Sequence, residues 1–336
     1  MQARSKILGT GSAFPPQRID NDRIMARLRE DYPDAWDRED CETTFGVLSR
    51  RWAADFETGK ILEGCSDIEL SSQAANRAIA MSGIDPAEID LIIHTTATPD
   101  YLVDPDPAIE ILNTVAPKSD AAALTLPITC VGMTHSMIMA DSHIRSGLAR
   151  TVLLTASNIV SPGGCGVPWQ MRFFVGDAAA AAVVQATDGD DQSGMIGAYW
   201  GSHRGARGTG MGYNTLQNLD AERLRGEFFP DAVAKEGGPL FGRAVKKLRR
   251  SHPGVKPDWI VTHQANPLFQ RFASRAFELS EERVPYNLAE FGNTLDASCG
   301  TVLDLLIGGG RVKRGEVVAM LAVGTGWHWS ACLFRY

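Results

Sequence analysis

Three side chains of this 336-residue sequence stand where the local pattern would let them do chemistry: Cys130, His263 and Asn293. Cys130 follows an apolar strand-like run, Ala122 to Ile128, and precedes a helix-like run, Gly132 to Ser146. That puts the thiol at a helix N-terminus, where the macrodipole and unpaired backbone N–H groups favour the thiolate, the nucleophilic form. A sharp strand-to-helix turn also presents a side chain accessibly, as nucleophile elbows do. The competing reading is a buried structural cysteine. His263 ends a strand and is followed by Gln264-Ala265-Asn266-Pro267, and a histidine there also suits a surface or a satisfied buried position. Asn293 sits in Glu290-Phe291-Gly292-Asn293-Thr294 ahead of a helix-like run, Val302 to Ile307, where a Gly-Asn pair also serves as a plain turn.

The elements that must position these residues occur twice. A helix-like segment from Ser71 to Met81, a turn over Gly83 to Pro86 and a strand at Ile89 to Ile93 are repeated as Leu240 to Arg250, Pro253-Gly254 and Pro257 to Val261. Asp90 and Asp258, Ala97 and Ala265, Pro99 and Pro267, and Gly147 and Gly315 are each 168 residues apart, half the chain. Near-continuous Val, Ile and Leu strands alternating with amphipathic helices predict an α/β molecule with parallel-rich sheets covered on both faces. Two closely packed pseudo-twofold halves are expected, 1–184 and 185–336, with the boundary in the polar turn between Val184 and Ser193.

Composition removes other classes. Hydrophobic residues make up 44% and charged residues 22%, an ordinary globular mix. The net charge of −7 does not favour nucleic acid as a partner. Any acidic partner must meet a local patch, and Arg243, Lys246, Lys247, Arg249 and Arg250 form one on a helix-like stretch that also reads as a solvated face. No apolar run approaches about 18 residues and the N-terminus has no signal-like core, so no membrane span is expected and a cytoplasmic location is. The six cysteines (Cys41, Cys65, Cys130, Cys165, Cys299, Cys332) lack metal-ligand spacing, so free thiols and no metal are expected.

Taken in order, Cys130 between strand and helix, Gly176-Asp177-Ala178-Ala179, His263-Gln264-Ala265-Asn266, Gly292-Asn293-Thr294 and the tail Gly324-Thr325-Gly326-Trp327 resemble β-ketoacyl-acyl-carrier-protein synthase III essentially end to end. The resemblance implies a thiolase-like fold, a duplicated α/β/α/β/α five-layered architecture, assembled as a homodimer. It implies that Cys130 is acylated by a coenzyme A or carrier-protein thioester and that the acyl group then condenses with a malonyl thioester, losing carbon dioxide, with no cofactor. His263 and Asn293 would hold the malonyl carbonyl, where two neutral donors stabilise the developing enolate. The backbone N–H groups of Cys130 and Thr325 would stabilise the acyl-transfer oxyanion, and Asn266 would orient water or the histidine. The acidic carrier would dock on Arg243, Lys246, Lys247, Arg249, Arg271 and Arg275 by charge complementarity.

The chain also departs from that family. Thr129, Val131, Met133 and His135 are bulkier than the usual neighbours of the cysteine, so Thr129 and Met133 are expected to reshape the primer pocket together with Trp169 and Arg172 of the Cys165–Phe174 loop. Arg172 is positioned to meet a carboxylate on an unusual primer, or to be an exposed loop arginine. Glu42 to Val47 lacks the arginine with which relatives clamp adenine, leaving only Trp36 as an upstream aromatic and the carrier protein as an alternative primer donor. A Cys130-dependent acyltransferase to an oxygen or nitrogen acceptor, without decarboxylation, is the nearest alternative function. A degradative thiolase would need a cysteine where Thr325 stands. A hydroxymethylglutaryl-type synthase would need a carboxylate such as Asp100, Asp104 or Asp106 near Cys130, and an inactive partner subunit would have lost the nucleophile.

Overall fold

A computed structural model describes residues 4–31, 39–101, 104–162, 169–188, 191–203 and 230–336. In chain order the first half contributes β1 (Ser5–Ala13), β2 (Gln17–Asp20), α1 (Asn21–Asp31), β3 (Ser49–Trp52), α2 (Asp67–Ser82), β4 (Leu91–Thr96), α3 (Pro107–Val115), β5 (Ala122–Leu126), α4 (Gly132–Ser146), β6 (Thr151–Asn158) and β7 (Ala178–Ala186). The second contributes β8 (Gly194–Ser202), α5 (Pro230–Ser251), β9 (Trp259–Thr262), α6 (Pro267–Phe277), α7 (Leu288–Phe291), α8 (Ser298–Ile307), β10 (Val317–Gly324) and β11 (His328–Arg335).

The duplication seen in the sequence is a duplication of topology. One sheet runs β1-β7-β6-β4-β5 and the other β8-β11-β10-β9. In both, the first three neighbours pair antiparallel and the fourth joins parallel. Asp90 and Asp258, the matched acids, make the same bracket. Asp90 Oδ2 accepts from the amides of Arg150 and Thr151 at 2.8 Å, and Asp258 Oδ2 accepts from the Val317 amide at 2.8 Å. Each thereby ties the entry of one parallel strand to its neighbour, β4 to β6 and β9 to β10. The expected boundary at residue 184 falls inside β7, which continues pairing with β1 to Ala186; the chain changes sheets after that residue and before Gly194.

Three apolar clusters define five layers. Side chains of α4 and α8 pack between the sheets, α2 and α3 cover the outer face of the first sheet, and α5 and α6 cover the outer face of the second. Continuous burial along β4, β6 and β10 explains why their sequences read as unbroken apolar runs rather than alternating ones. Helix ends are set locally: Ser66 and Glu69 form a capping box at the start of α2, and Gly83 with φ 72° closes it. Among the described residues no helix is long and apolar enough to cross a membrane, and no group of three or more His, Cys, Asp or Glu could hold a metal ion.

Candidate active site

Cys130 stands between β5 and α4, one residue before the Val131 N-cap of α4, whose first turn has no side-chain cap. It is 7% exposed and packs with Val47, Val160, Met171, Phe174, Val175 and Leu295 in an apolar cluster. Burial pushes the Cys130 thiol up to about 12, with the charge of Asp296 acting in the same direction; Thr129 and the Thr325 amide oppose them. The helix terminus expected to favour the thiolate is therefore outweighed by desolvation in the resting site. The Thr325 amide, which faces the sulfur, follows Gly324 at the end of β10. A Cβ on Gly324 would stand 3.0 Å from that of Cys130, so the strand end and the cysteine approach as only glycine permits.

His263 leaves the end of β9, its amide donating to Leu321 O of β10 at 2.9 Å, which carries the imidazole to the same end of the sheet as Gly324. It is 2% exposed, and burial alone lowers its pKa to about 3, so the ring is neutral at physiological pH. Nδ1 lies 3.1 Å from Ser298 Oγ, and the same oxygen accepts from the Gln264 amide at 2.7 Å. The Ser298 hydroxyl retains both its proton and a second lone pair toward Nδ1; in the tautomer where it donates, the imidazole proton sits on Nε2.

Asn293 is fixed by a parallel logic. Its backbone bridges to the other half, donating to Phe174 O at 2.7 Å and accepting from the Gly176 amide at 3.1 Å. Its side-chain Oδ1 accepts from the Leu295 amide at 2.9 Å, an Asx turn that leaves Nδ2 as the free donor. Leu295 adopts φ 44°, rare for a bulky residue, and the turn it forces begins the segment that reaches Ser298. One short stretch, Asn293 to Ser298, thus carries the asparagine, an acid that acts on Cys130 and the serine that orients His263. Sequence reading missed Ser298 and Asp296. Their signal was two polar residues at the start of an otherwise apolar helix, which periodicity alone treats as noise.

Other expected residues are placed as follows. Thr129 Oγ1 donates to Thr325 O at 3.2 Å, tying the residue before Cys130 to the other candidate oxyanion-hole residue. Met133 is a correction: it is buried in the core between the sheets and faces Gly300 of α8, not the cluster around Cys130, because α4 turns that side inward. Asn266 is the N-cap of α6, with Oδ1 accepting from the Leu268 amide and Nδ2 donating to Thr44 O, so its polar atoms are taken up in loop geometry. Arg172 is half-buried beside Met171, and its Nε has no partner among the described residues. The side chain of Trp169, together with Cys165 and Trp36, lies outside the described residues. Asp100 accepts from the amides of Asp67 and Ile68 and Asp106 caps α3, so both are engaged at helix starts. Asp104 is exposed. Gly176-Asp177 is a structural bracket in which Asp177 accepts from the amides of Ala53, Val160 and Ser161.

A duplicated five-layer α/β fold with a cysteine at the turn into a central helix, and a histidine and an asparagine contributed by the other half, defines the thiolase-like condensing-enzyme class. Family models agree: residues 126–204 match 3-oxoacyl-[acyl-carrier-protein (ACP)] synthase III, and residues 255–336 match the C-terminal domain of the same family. Those two segments of the chain are thus similar to the 3-oxoacyl-[acyl-carrier-protein (ACP)] synthase III family. Solved structures of the same fold include 3-oxoacyl-[acyl-carrier-protein] synthase III from Aquifex aeolicus VF5, at 24% identity and TM-score 0.77, covering 99% of this chain and 100% of that one. The priming β-ketosynthase of the R1128 polyketide biosynthetic pathway matches at 24% identity and TM-score 0.78, covering 99% of this chain and 96% of that one. OleA from Xanthomonas campestris, solved with lauric acid and lauroyl-CoA, matches at 19% identity and TM-score 0.83 over 100% of both chains. At these identities the likeness is one of fold.

Proposed function

We propose that this chain transfers an acyl group from a thioester to Cys130 and condenses it with a malonyl thioester, releasing carbon dioxide and a β-ketoacyl thioester. One observation carries this reading. Two neutral side chains are held by partners: Asn293 by the Leu295 amide, so that Nδ2 presents an N–H, and His263 at Nδ1 by Ser298 Oγ, so that the Nε2–H tautomer presents a second. Neutral paired donors suit a thioester oxygen that gains charge as the malonyl carboxylate leaves, whereas a proton-abstracting base would need a free acceptor. The enolate carbon then attacks the acyl carbonyl on Cys130, and the sulfur departs as thiolate. The apolar side chains packed around Cys130 are of the kind that would contact an acyl chain. Labelled malonyl thioester given to the acylated enzyme should release carbon dioxide in step with β-keto product. Transfer of the acyl group to an oxygen or nitrogen acceptor without carbon dioxide would replace this reading with simple acyl transfer.

Delivery by an acidic carrier protein is supported by Arg243, Lys246, Lys247 and Arg249 on α5 and Arg271 and Arg275 on α6, all exposed. Lys246 and Arg249 line a groove of about 950 Å³ floored by Phe272. Reversing Lys246 and Arg249 to glutamate should raise the KM for carrier-bound substrate about tenfold at low salt, with kcat nearly unchanged and the effect shrinking as ionic strength rises. An unchanged KM at both salt concentrations would move docking elsewhere. A homodimer is supported by β5, an apolar strand with one partner in its sheet and an open edge. The free thiols of Cys65, Cys130, Cys299 and Cys332 suit the reducing cytoplasm.

A further inference from the structure

Arg50, in the middle of β3, is fully buried and takes part in no step described above. Its guanidinium reaches two main-chain carbonyls, Phe173 O through Nη2 and Ile19 O through Nη1 at 3.4 Å, while Nε has no hydrogen-bond partner among the described residues. No carboxylate among those residues pairs with it. Burial lowers its pKa to about 10, so the group is still a cation at neutral pH. A charge held in a dry interior without a counter-ion costs free energy that an apolar side chain of the same volume would not. What the cation grips is therefore the question.

Phe173 ends a single helical turn, Trp169–Phe173. The next carbonyl along, Phe174 O, accepts from the Asn293 amide at 2.7 Å, and the Gly176 amide donates to Asn293 O at 3.1 Å. The side chains divide at the same peptide. Phe173 packs with Ile19, Trp52 and Phe56, whereas Met171, Phe174 and Val175 pack with Cys130. Arg50 also lies against both backbones that flank the asparagine: a Cβ on Gly292 would stand 3.1 Å from Arg50 Cβ, and one on Gly176 3.3 Å from it. Its chain neighbours complete the bracket. Leu48 donates its amide to Ala289 O at 2.9 Å, Ser49 Oγ donates to Glu290 O at 2.8 Å, and Arg51 O accepts from the Asp177 amide at 2.8 Å. β3 is thereby seated between the two segments that hold Asn293, and the Arg50 side chain ties it to one of them.

Resting on the reading of Asn293 as a donor to the malonyl thioester, we propose that Arg50 is a positioning residue for decarboxylation: by gripping Phe173 O it fixes the Phe173–Gly176 segment whose main chain holds Asn293, and so sets where Asn293 Nδ2 points. The planar fork suits this task, because two of its N–H groups reach carbonyls from two different segments at once. Without it, Phe173 is free to shift and carries the Phe174 carbonyl, and with that the asparagine, out of line. Small displacements of a donor matter because the charge it must meet develops at one oxygen.

The test pairs a double-mutant cycle with hydrogen exchange. Arg50→Met keeps a long stem and removes the guanidinium; carbon dioxide release by the acylated enzyme should fall about tenfold, mainly in kcat, while acylation of Cys130 stays within about twofold of the wild type. In an Asn293→Ala background the same substitution should cost less than about twofold, because a residue acting through Asn293 has nothing left to position. Arg50→Lys reaches one carbonyl instead of two, so it should show the same pattern at about threefold, and it serves if Arg50→Met does not fold. Deuterium exchange of the peptide containing Asn293 needs no substrate: the Asn293 amide should lose protection in the Arg50 variants while peptides of α2 and α4 keep theirs. A wild type that releases no carbon dioxide would sink the condensation reading, and the exchange result would still decide whether Arg50 holds Asn293. Equal losses in the two backgrounds, rates and exchange that match the wild type in whichever variants fold, or protection lost throughout the chain would overturn the proposal.

Discussion

Exposed to a panel of acyl-coenzyme A thioesters, the Cys130→Ala protein gains no mass, while the wild type gains a single acyl group. The other described cysteines do not compete. Cys299 and Cys332 are packed in the core between the two sheets and Cys41 and Cys65 in two further apolar clusters, none of them the cluster that holds Cys130. Removing a covalent nucleophile that no neighbour can replace should lower condensation by at least about 10⁴-fold. A Cys130→Ala protein that still acquires the acyl group would place the nucleophile elsewhere and end the assignment. Carrier-bound thioesters belong in the same panel, since the stretch around Phe45 lacks the arginine that would hold adenine.

The second large effect separates the two half-reactions. His263→Ala and Asn293→Ala should each lower carbon dioxide release by about 10²- to 10³-fold, as deletion of one oxyanion donor does, while acylation of Cys130 proceeds. The double variant should lose less than the product of the two, because both donors serve one oxygen. The pH dependence carries a sign as well. With its pKa lowered to about 3, His263 is neutral above that value, so the decarboxylation step shows no acidic limb from this residue near neutral pH. A limb near pH 6 or 7 that disappears in His263→Ala would mean that imidazolium, not neutral imidazole, is the donor. Loss of acylation in both variants would instead tie these residues to the first half-reaction.

Much of this was legible in the chain. The 168-residue offset followed from residues such as Asp90 and Asp258, and it is readable because each makes the same local bracket at a strand entry. Local pattern also marked Cys130 as lying between a strand and a helix, since those runs are set by short-range periodicity. The motif order then joined Cys130 to His263 and Asn293 across nearly half the sequence.

Other features belong to packing alone. Met133 was expected beside the primer and lies in the core, because which face of α4 meets α8 depends on the partner helix and not on distance from the cysteine in sequence. Asn266 was expected to serve the histidine and caps a helix, while the residue that does hold the imidazole, Ser298, stands 35 positions beyond His263. The sequence determined by itself the α/β repeat, the order of the chemical residues and the absence of metal-ligand spacing, all properties of near neighbours or of residue type. Only the tertiary structure decided that Cys130 is desolvated, that Ser298 holds Nδ1 of His263 and that the Leu295 amide turns Asn293 Nδ2 into a donor. Desolvation and hydrogen-bond direction are set by atoms brought together from distant segments, which no local pattern encodes.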